Sequence, residues 1–318
     1  MTVLAIEDLH VWFELPDGKE LHAVQGIDLS LERGERLGLV GESGCGKTTA
    51  ILAMMGLLPP TASAAGRILL DGEDILAGGD NTIRAHRWTD IAMVFQGAMN
   101  AFDPVKTIGS QIREPMQAAG LAKGKAARAR TGELLELVGI AAERQDRYPH
   151  EFSGGMRQRA AIAMALACEP KVLLADEPTT ALDVMVQAQI LELLIRLTDE
   201  LGLAMIMVTH DLPLVSQVCQ RAAVMYAGRI AEIGTTSELY HHPQHPYTRL
   251  LFRATPDLLA ERDVISIPGS PPRLDQEIIG CPFRPRCDAA IDPCAIAYPP
   301  TRTAEPGHLS ACFVEESA

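Results

Sequence analysis

The sequence predicts an α/β fold built around a loop that binds phosphate. The segment 41–48, GESGCGKT, fits the pattern of Gly, four residues, then Gly-Lys-Ser/Thr. An apolar run at 37–40 predicts a buried strand before the loop, and 49–55 predicts a helix after it. A second apolar run, at 172–175, is typical of a strand that is covered on both faces. Strand, glycine-rich turn and helix start are the context in which this motif binds nucleotides.

The loop residues define the predicted nucleotide site. Glycines let successive N–H groups point at phosphate oxygens, and the following helix N-terminus adds partial positive charge. Lys47 is expected to reach the β- and γ-phosphates, and the Thr48 hydroxyl to bind Mg²⁺. Cys45 is interpreted as a small loop filler rather than a redox switch, although thiol pKa values fall near helix N-termini. The predicted nucleotide contacts here are Gly41, Ser43, Gly44, Cys45, Gly46, Lys47, Thr48 and Thr49.

Length and composition limit the protein classes to consider. The chain has 318 residues, which suggests one large domain or two, and 47% hydrophobic residues easily build a core. No apolar run is long enough to span a bilayer, and the acidic start of the chain does not match a signal peptide, so a cytosolic location is expected. The net charge of −13 argues against a nucleic-acid-binding surface.

The first forty residues predict an antiparallel sheet. Short β-like segments alternate with turns, and 16–18, Pro-Asp-Gly, is a turn signal. Trp12 and Phe13 lie before the phosphate loop, where an aromatic ring can stack on adenine or simply pack in the core. Phe13 is preferred for stacking. The segment 66–76 predicts a hairpin with an Asp-Gly turn.

A helical insertion is predicted at about 97–160. It follows a buried strand at 91–95 that ends at Gln96, and the basic run inside it is interpreted as a solvated helix face. Ser153, Gly154 and Gly155 stand where the cap of the next helix is expected. This second helix start can hold an anion, but taken alone a plain capped helix is the better interpretation.

Charged residues follow two of the buried strands. Asp176 and Glu177 come directly after 172–175, at the strand end where ligands bind in open α/β sheets. Asp176 is expected to hold Mg²⁺ through water and Glu177 to polarise the attacking water, whereas ordinary loop charges are the alternative. Asp183 precedes a predicted helix at 184–201, and His210 follows a strand at 204–208. A functional histidine is favoured there over a structural one.

These motifs and their order resemble the ATPase subunit of ATP-binding cassette (ABC) transporters, over residues 1 to about 240. The variant signature FSGGMRQR, in which Met156 stands where the family often has Gln, is similar to the oligopeptide/dipeptide/nickel importer branch. So are the segments 94–96 and 103–105, the segment HPYTR at 245–249, and the tail at 280–312.

The resemblance implies a RecA-like mixed sheet core with antiparallel β and helical subdomains in 1–240, and a small Cys/Pro-rich extension at 241–318. Two cassettes are expected to pair head to tail, with ATP between one phosphate loop and the partner's signature residues Ser153, Gly154 and Gly155. Asp183 is expected to contribute a nucleotide contact. The expected catalytic residues are Glu177 as general base, His210 to steady the water, and Gln96 to sense the γ-phosphate and Mg²⁺.

The function expected from the resemblance is a motor for peptide import at the cytoplasmic face of the membrane. Expected partners are a second, different cassette, two permease chains that dock on the helical insertion, and an extracytoplasmic binding protein, with no nucleic acid. Alternatives are an importer of nickel chelates or another solute, a soluble ABC ATPase of DNA repair or translation, and a regulatory or iron–sulfur protein that uses nucleotide as a switch.

Four of the seven cysteines lie near the end of the chain. Cys281, Cys287, Cys294 and Cys312 are separated by five, six and seventeen residues, in a proline-rich segment. Four thiolates in a small cytosolic segment suit a zinc site or an iron–sulfur cluster. The absence of a close Cys-x-x-Cys pair favours iron, and the resemblance points to a 4Fe–4S cluster. Zinc and four unligated thiols stay open as alternatives.

Overall fold

The computed structural model describes residues 1–97, 101–254, 266–276 and 278–314. The chain forms two compact units. The first contains 1–3, 31–35 and 78–207, and the second contains 4–30, 36–77 and the chain from 208 onward. The described residues of the predicted helical insertion therefore lie in the first unit, and those of the predicted extension lie in the second.

An antiparallel sheet begins the second unit. Its strands stand in the order β2-β1-β4-β5, and they are β1 (Thr2–Glu14), β2 (Glu20–Glu32), β4 (Ala62–Leu70) and β5 (Glu73–Asp74). The turn between β4 and β5 has positive φ at both Asp71 and Gly72, 48° and 86°. Two such residues form the tight turn that matches the strand twist, which confirms the predicted Asp-Gly hairpin.

The strand that leads to the phosphate loop belongs to a second sheet. Within this unit the strands stand in the order β11-β12-β10-β9-β3, and they are β3 (Arg36–Val40), β9 (Arg221–Tyr226), β10 (Arg229–Thr235), β11 (Arg302–Glu305) and β12 (His308–Ser310). β3 and β9 are parallel, whereas β12 adds antiparallel to β10. The tail thus extends the sheet that carries the loop. The helices here are α1 (Lys47–Met54), α7 (Leu212–Val218), α8 (Thr236–His241) and α9 (Pro246–Arg253).

The first unit has a parallel strand pair and five α-helices among its described residues. β6 (Ile91–Val94) pairs with β7 (Val172–Asp176), and every residue of both is buried. This confirms the strand predicted at 172–175 as covered on both faces. The buried strand predicted at 91–95 is confirmed only to Val94, because Phe95 lies beyond the strand and is exposed. The chain passes to the second unit within β8 (Ala204–Thr209). The helices are α2 (Gly79–His86), α3 (Ile108–Ala118), α4 (Gly124–Leu137), α5 (Gly154–Ala165) and α6 (Val184–Leu201).

Close packing of α5 on α6 explains one glycine of the segment 152–159. A Cβ on Gly155 would lie 2.6 Å from Cγ1 of Val186, closer than real Cβ contacts come. Only glycine therefore allows the two helices to approach this closely. Within the described ranges, no helix is both long enough and apolar enough to cross a bilayer.

Candidate functional site

The phosphate loop lies between β3 and α1 and has space for glycine alone at two positions. A Cβ on Gly41 would lie 2.1 Å from the Met225 carbonyl oxygen, and one on Gly46 would lie 2.6 Å from that of Ala23. Gly46 caps α1 with φ 107°, a value that side-chain-bearing residues rarely adopt. The sequence therefore folds here into the tight turn that was predicted, with Ser43, Gly44 and Thr48 exposed and Thr49 half-buried.

Lys47 points into the loop. Its side chain is 7% exposed, and Nζ donates to the carbonyl oxygens of Gly41 at 2.7 Å and Glu42 at 2.9 Å. Nζ also lies 3.6 Å from the sulfur of Cys45. A buried ammonium needs acceptors, and loop carbonyls supply them here. The charge is thus positioned where a phosphate loop requires it.

Cys45 belongs to the same loop, and its side chain is buried. Burial raises the pKa of its thiol, and the neighbouring Lys47 ammonium offsets only part of that increase. The thiolate is the reactive form, so this environment disfavours a redox switch. The geometry agrees with the interpretation of Cys45 as a small filler.

The aromatic residues of β1 have different surroundings. The Trp12 ring stacks on His10 and His22, with centroids 5.3 and 4.8 Å apart. Phe13 alternates to the other face of the strand, which also carries the buried Val11. Trp12 is therefore engaged in a histidine stack, and Phe13 stays the predicted adenine contact.

Two of the predicted catalytic residues meet in the first unit. Asp176 ends β7 and is 2% exposed, and Glu177 follows it with a strained φ of 45°. Nε2 of Gln96 donates to Oε2 of Glu177 at 2.8 Å, and the Thr180 hydroxyl donates to the same oxygen at 2.8 Å. Thr180 was not predicted, because no local pattern distinguishes it from other loop threonines.

The remaining predicted nucleotide contacts lie at helix starts or strand ends. Ser153 caps α5, accepting from the Met156 N–H at 3.3 Å, and Gly154 begins the helix. Asp183 caps α6, accepting from the Val186 N–H at 3.0 Å. His210 lies exposed directly after β8, in the second unit. The caps confirm the predicted helix starts, and the nucleotide roles stay predictions.

Three of the four tail cysteines have raised thiol pKa values. Burial raises the pKa of Cys281 to about 11, and the nearby thiols of Cys294 and Cys287 contribute to the increase. Burial also raises the pKa values of Cys287 and Cys312, again with contributions from neighbouring thiols. The Cys281 N–H donates to the Cys294 carbonyl at 2.9 Å. In the part of the chain that the structure describes, no three His, Cys, Asp or Glu side chains are placed to hold a single metal ion.

Comparison with known proteins identifies the family. Residues 24–180 match the ABC transporter family, and 231–294 match the C-terminal region of oligopeptide/dipeptide transporters. The chain is 44% identical to the dipeptide transport ATP-binding protein DppD of Bacillus subtilis, over 99% of this chain and 95% of that protein. It is also 44% identical to the oligopeptide transport ATP-binding protein OppD of Escherichia coli, over 99% and 94%. The chain belongs to the ABC transporter family.

Solved ABC cassettes share the fold. The dimeric ATP-binding cassette MJ0796, in a post-hydrolysis state bound to ADP and Pi, superposes with a TM-score of 0.65 at 27% identity, covering 73% of this chain and 98% of that chain. CbiO1 from Clostridium perfringens, part of the transporter complex cbiONQ, gives 0.64 at 32% identity, covering 76% and 91%. The predicted α/β cassette fold and the ATPase function of this ABC transporter subunit are thus confirmed.

Proposed function

We propose that this ABC ATPase drives the import of dipeptides or oligopeptides. The observation that carries the proposal is the match of 231–294 to the C-terminal region of oligopeptide/dipeptide transporters, outside the nucleotide-binding motifs. The relatives with 44% identity over nearly the whole chain are peptide-transport proteins by name, which supports the same substrate class. The nickel-chelate alternative has no such support here.

The hydrolysis step assigns separate tasks to the loop and the carboxylates. Lys47 and the loop N–H groups would bind the phosphates. Thr48 and Asp176 are the residues that would hold Mg²⁺, which when bound would neutralise charge on the phosphates. Glu177 accepts a proton from the attacking water, and His210 steadies that water. The hydrogen bond from Gln96 to Glu177 supports this assignment, because it fixes the base beside a residue expected to sense the γ-phosphate.

A second cassette completes the nucleotide site. Ser153, Gly154 and Gly155 form an exposed or half-exposed helix start, and backbone N–H groups at such a start bind phosphate. Asp183 stands at another exposed helix start. These features support contact with nucleotide bound to a partner chain, and the partner is a different cassette of the same family.

A groove in the first unit suits a helix of a permease chain. It has a volume of about 600 Å³ and is mainly apolar. Its lining includes Trp88, Phe95, Gln96, Pro115 and Met164. Phe95 is 40% exposed, which is unusual for a large ring next to a buried strand. Because Gln96 both lines the groove and bonds Glu177, docking there is linked to the catalytic base.

We propose that the tail thiols bind a 4Fe–4S cluster, with zinc as the alternative. Thiolates around one zinc at about 2.3 Å lie roughly 3.8 Å apart, and no such convergent group exists among the described residues. In a 4Fe–4S cluster each thiolate binds a different iron, so the sulfurs lie farther apart. The choice of iron over zinc rests on the sequence, which lacks a close Cys-x-x-Cys pair among these cysteines.

Metal analysis tests the cluster. Anaerobically purified protein is expected to be brown and to contain roughly four irons and four acid-labile sulfides per chain. Cys294→Ser should lose the colour, whereas Cys168→Ser, a buried cysteine of the first unit, should keep it. Colourless wild-type protein, with stoichiometric zinc or without metal, would overturn the cluster assignment.

Purification from membranes tests the transporter assignment. The tagged chain is expected to co-purify with two integral membrane chains and a second cassette at the cytoplasmic face, and peptide-loaded binding protein should stimulate ATP hydrolysis by the complex. Recovery of a soluble complex with DNA-repair or translation factors, and no membrane chains, would contradict transport.

A further inference from the structure

Arg286 connects the cysteine-rich tail to the phosphate loop. It precedes Cys287, and its side chain is only 4% exposed. The two terminal nitrogens donate to the carboxylate oxygens of Glu42 at 2.6 and 2.8 Å. Nε donates to the Pro268 carbonyl at 2.7 Å, and Nη1 to the Tyr226 hydroxyl at 3.2 Å. Two-point pairing of a guanidinium with a carboxylate fixes the orientation of the carboxylate and also compensates its negative charge.

Glu42 is the second residue of the phosphate loop, and it is fixed at three points. Arg286 binds its carboxylate, and its backbone N–H donates to the Tyr247 hydroxyl at 2.9 Å. Its carbonyl accepts from Lys47 at 2.9 Å. Three side chains from different parts of the second unit therefore determine the orientation of one loop residue.

The tail and α9 reach the loop through one aromatic cluster. Tyr247 of α9 and Phe283 of the tail are both essentially inaccessible to solvent. The Tyr247 ring lies 4.5 Å from Tyr226 and 5.3 Å from Phe283, between centroids. The Arg286 guanidinium lies 5.9 Å from the centre of the Phe283 ring. This packing restricts the guanidinium to the position from which it binds Glu42.

The negative charge of Glu42 gives Arg286 a second role, which is to neutralise that charge. A carboxylate in a phosphate loop repels a triphosphate, and the repulsion is strong where water is partly excluded. The Glu42 side chain is 23% exposed, so solvent screens it only in part. Arg286 neutralises this negative charge. Removing Arg286 would both release the loop and leave Glu42 unpaired beside the nucleotide.

We propose that Arg286 is a positioning residue for nucleotide binding, which orients and neutralises Glu42 so that the C-terminal extension sets the affinity of the phosphate loop for ATP. The proposal rests on ATP binding at this loop. It makes the segment between Cys281 and Cys287 part of the nucleotide-binding machinery, and it requires no metal at the cysteines.

Equilibrium binding of Mg-ATP to the purified full chain tests the proposal. Arg286→Met is expected to weaken binding roughly ten- to hundredfold, because it removes charge-assisted hydrogen bonds and leaves Glu42 unpaired beside the phosphates. Arg286→Lys, which keeps the charge but loses the two-point geometry, should give a smaller loss. Arg273→Met is the matched control: it removes the exposed pair with Asp275 elsewhere in the tail, and its affinity should stay within about twofold of wild type.

A double variant separates positioning from general damage. Glu42→Gln in the Arg286→Met background removes the unpaired charge, so it should recover part of the lost affinity. A purely structural role would lower the melting temperature and leave the affinity of the folded fraction unchanged. If Arg286→Met does not fold, Arg286→Lys with and without Glu42→Gln decides the question in the same way.

Failure of the Arg286 proposal and failure of the nucleotide site give different results. Unchanged ATP affinity in folded Arg286→Met or Arg286→Lys would overturn the proposal, and so would a double variant that binds more weakly than the Arg286 variant alone. Normal binding by Lys47→Ala would instead show that nucleotide does not bind at this loop, which is a failure of the site itself.

Discussion

The phosphate loop and the loop after β7 are built in contrasting ways. Backbone contacts at Gly41 and Gly46 leave no room for side chains. The Tyr247 hydroxyl accepts from the Glu42 N–H, and Arg286 donates to the Glu42 carboxylate. Glu177 instead adopts a strained backbone, and two neutral donors, Gln96 and Thr180, orient its carboxylate.

This contrast separates binding from catalysis. Close contacts and buried bonds hold the phosphate loop without nucleotide, and such preorganisation lowers the entropy lost on binding. The Glu177 carboxylate accepts hydrogen bonds from an amide and a hydroxyl. Replacing one such neutral hydrogen bond by another changes the free energy by only about 0.5–1.5 kcal/mol. We therefore expect the loop to bind ATP in the isolated chain and the carboxylate to reach its working geometry only in the assembled transporter. The predictions below test each side of this contrast.

Glu177→Gln is expected to have the largest effect. Loss of a positioned base should lower ATP turnover of the assembled complex by about 10²–10⁴-fold, while the affinity for Mg-ATP stays near wild type. Steady-state phosphate release and equilibrium binding on the same preparation measure both. Glu192→Gln, on an exposed position of α6, is the matched control and should turn over normally. Near-normal turnover of the Glu177 variant would remove it as the base.

Lys47→Ala should affect binding instead. Hydrogen bonds to charged groups contribute about 1.5–3 kcal/mol, so the affinity for ATP should fall roughly ten- to hundredfold. Lys123→Ala, an exposed residue that precedes α4, serves as the control. Titration with a fluorescent ATP analogue gives the affinities. Unchanged affinity of Lys47→Ala would contradict the assignment of the loop.

Gly155→Ala tests the packing that places the signature helix. The new methyl group would meet Val186 at 2.6 Å, and overpacking of this kind lowers the free energy of unfolding by about 1–3 kcal/mol. Val186→Ala removes the opposing methyl groups, so the double variant should recover much of the loss. Chemical denaturation of the three variants measures it. A loss that Val186→Ala does not relieve would show that another contact requires the glycine.

The smallest expected effect concerns pH. His308 donates to the buried Glu232 at 2.7 Å, and this bond raises the pKa of the histidine. Because the folded-state pKa lies above the unfolded value of about 6.5, the added stability is complete below that pH and disappears as pH rises through the folded-state pKa. His308→Gln should therefore lower the free energy of unfolding by roughly 1 kcal/mol at acidic pH and by less at alkaline pH.

A second buried histidine changes stability in the opposite direction. Burial lowers the pKa of His245 to about 4, so its contribution decreases as pH falls from about 6.5 toward that value. Both histidines interact with Glu232, so the two trends are separated by measuring His308→Gln also in a His245→Gln background. His242→Gln, at an exposed position, is the control. A stability difference that increases with pH would contradict the sign given for His308.

Local patterns predicted the parts of the site that depend on neighbours in sequence. The phosphate loop needs only its glycines, Lys47 and the flanking strand and helix. Gln96 and Glu177 were each recognised as following a buried strand, and the structure adds that β6 and β7 are adjacent and parallel. Ser153 was identified as a cap because a side-chain acceptor followed by glycines is a local signal.

Other features depend on contacts between distant segments. Glu42 and Arg286 are separated by 244 positions, and a single glutamate or arginine has no pattern that reveals its partner. Cys312 was recognised as a thiol, but its approach to the other cysteines depends on β12 pairing with β10, which the proline-rich tail does not signal. Thr180 was missed for the same reason, since only the folded loop turns its hydroxyl toward Glu177.

Peptide uptake tests the central claim most directly. The chain, its partner cassette and the two permease chains are reconstituted in vesicles with the binding protein, and entry of a labelled oligopeptide is measured with and without ATP. Uptake should require ATP, and complexes that carry Glu177→Gln should bind ATP and transport nothing. Uptake that is independent of ATP, or ATP-driven entry of a nickel chelate with no entry of peptide, would contradict the account.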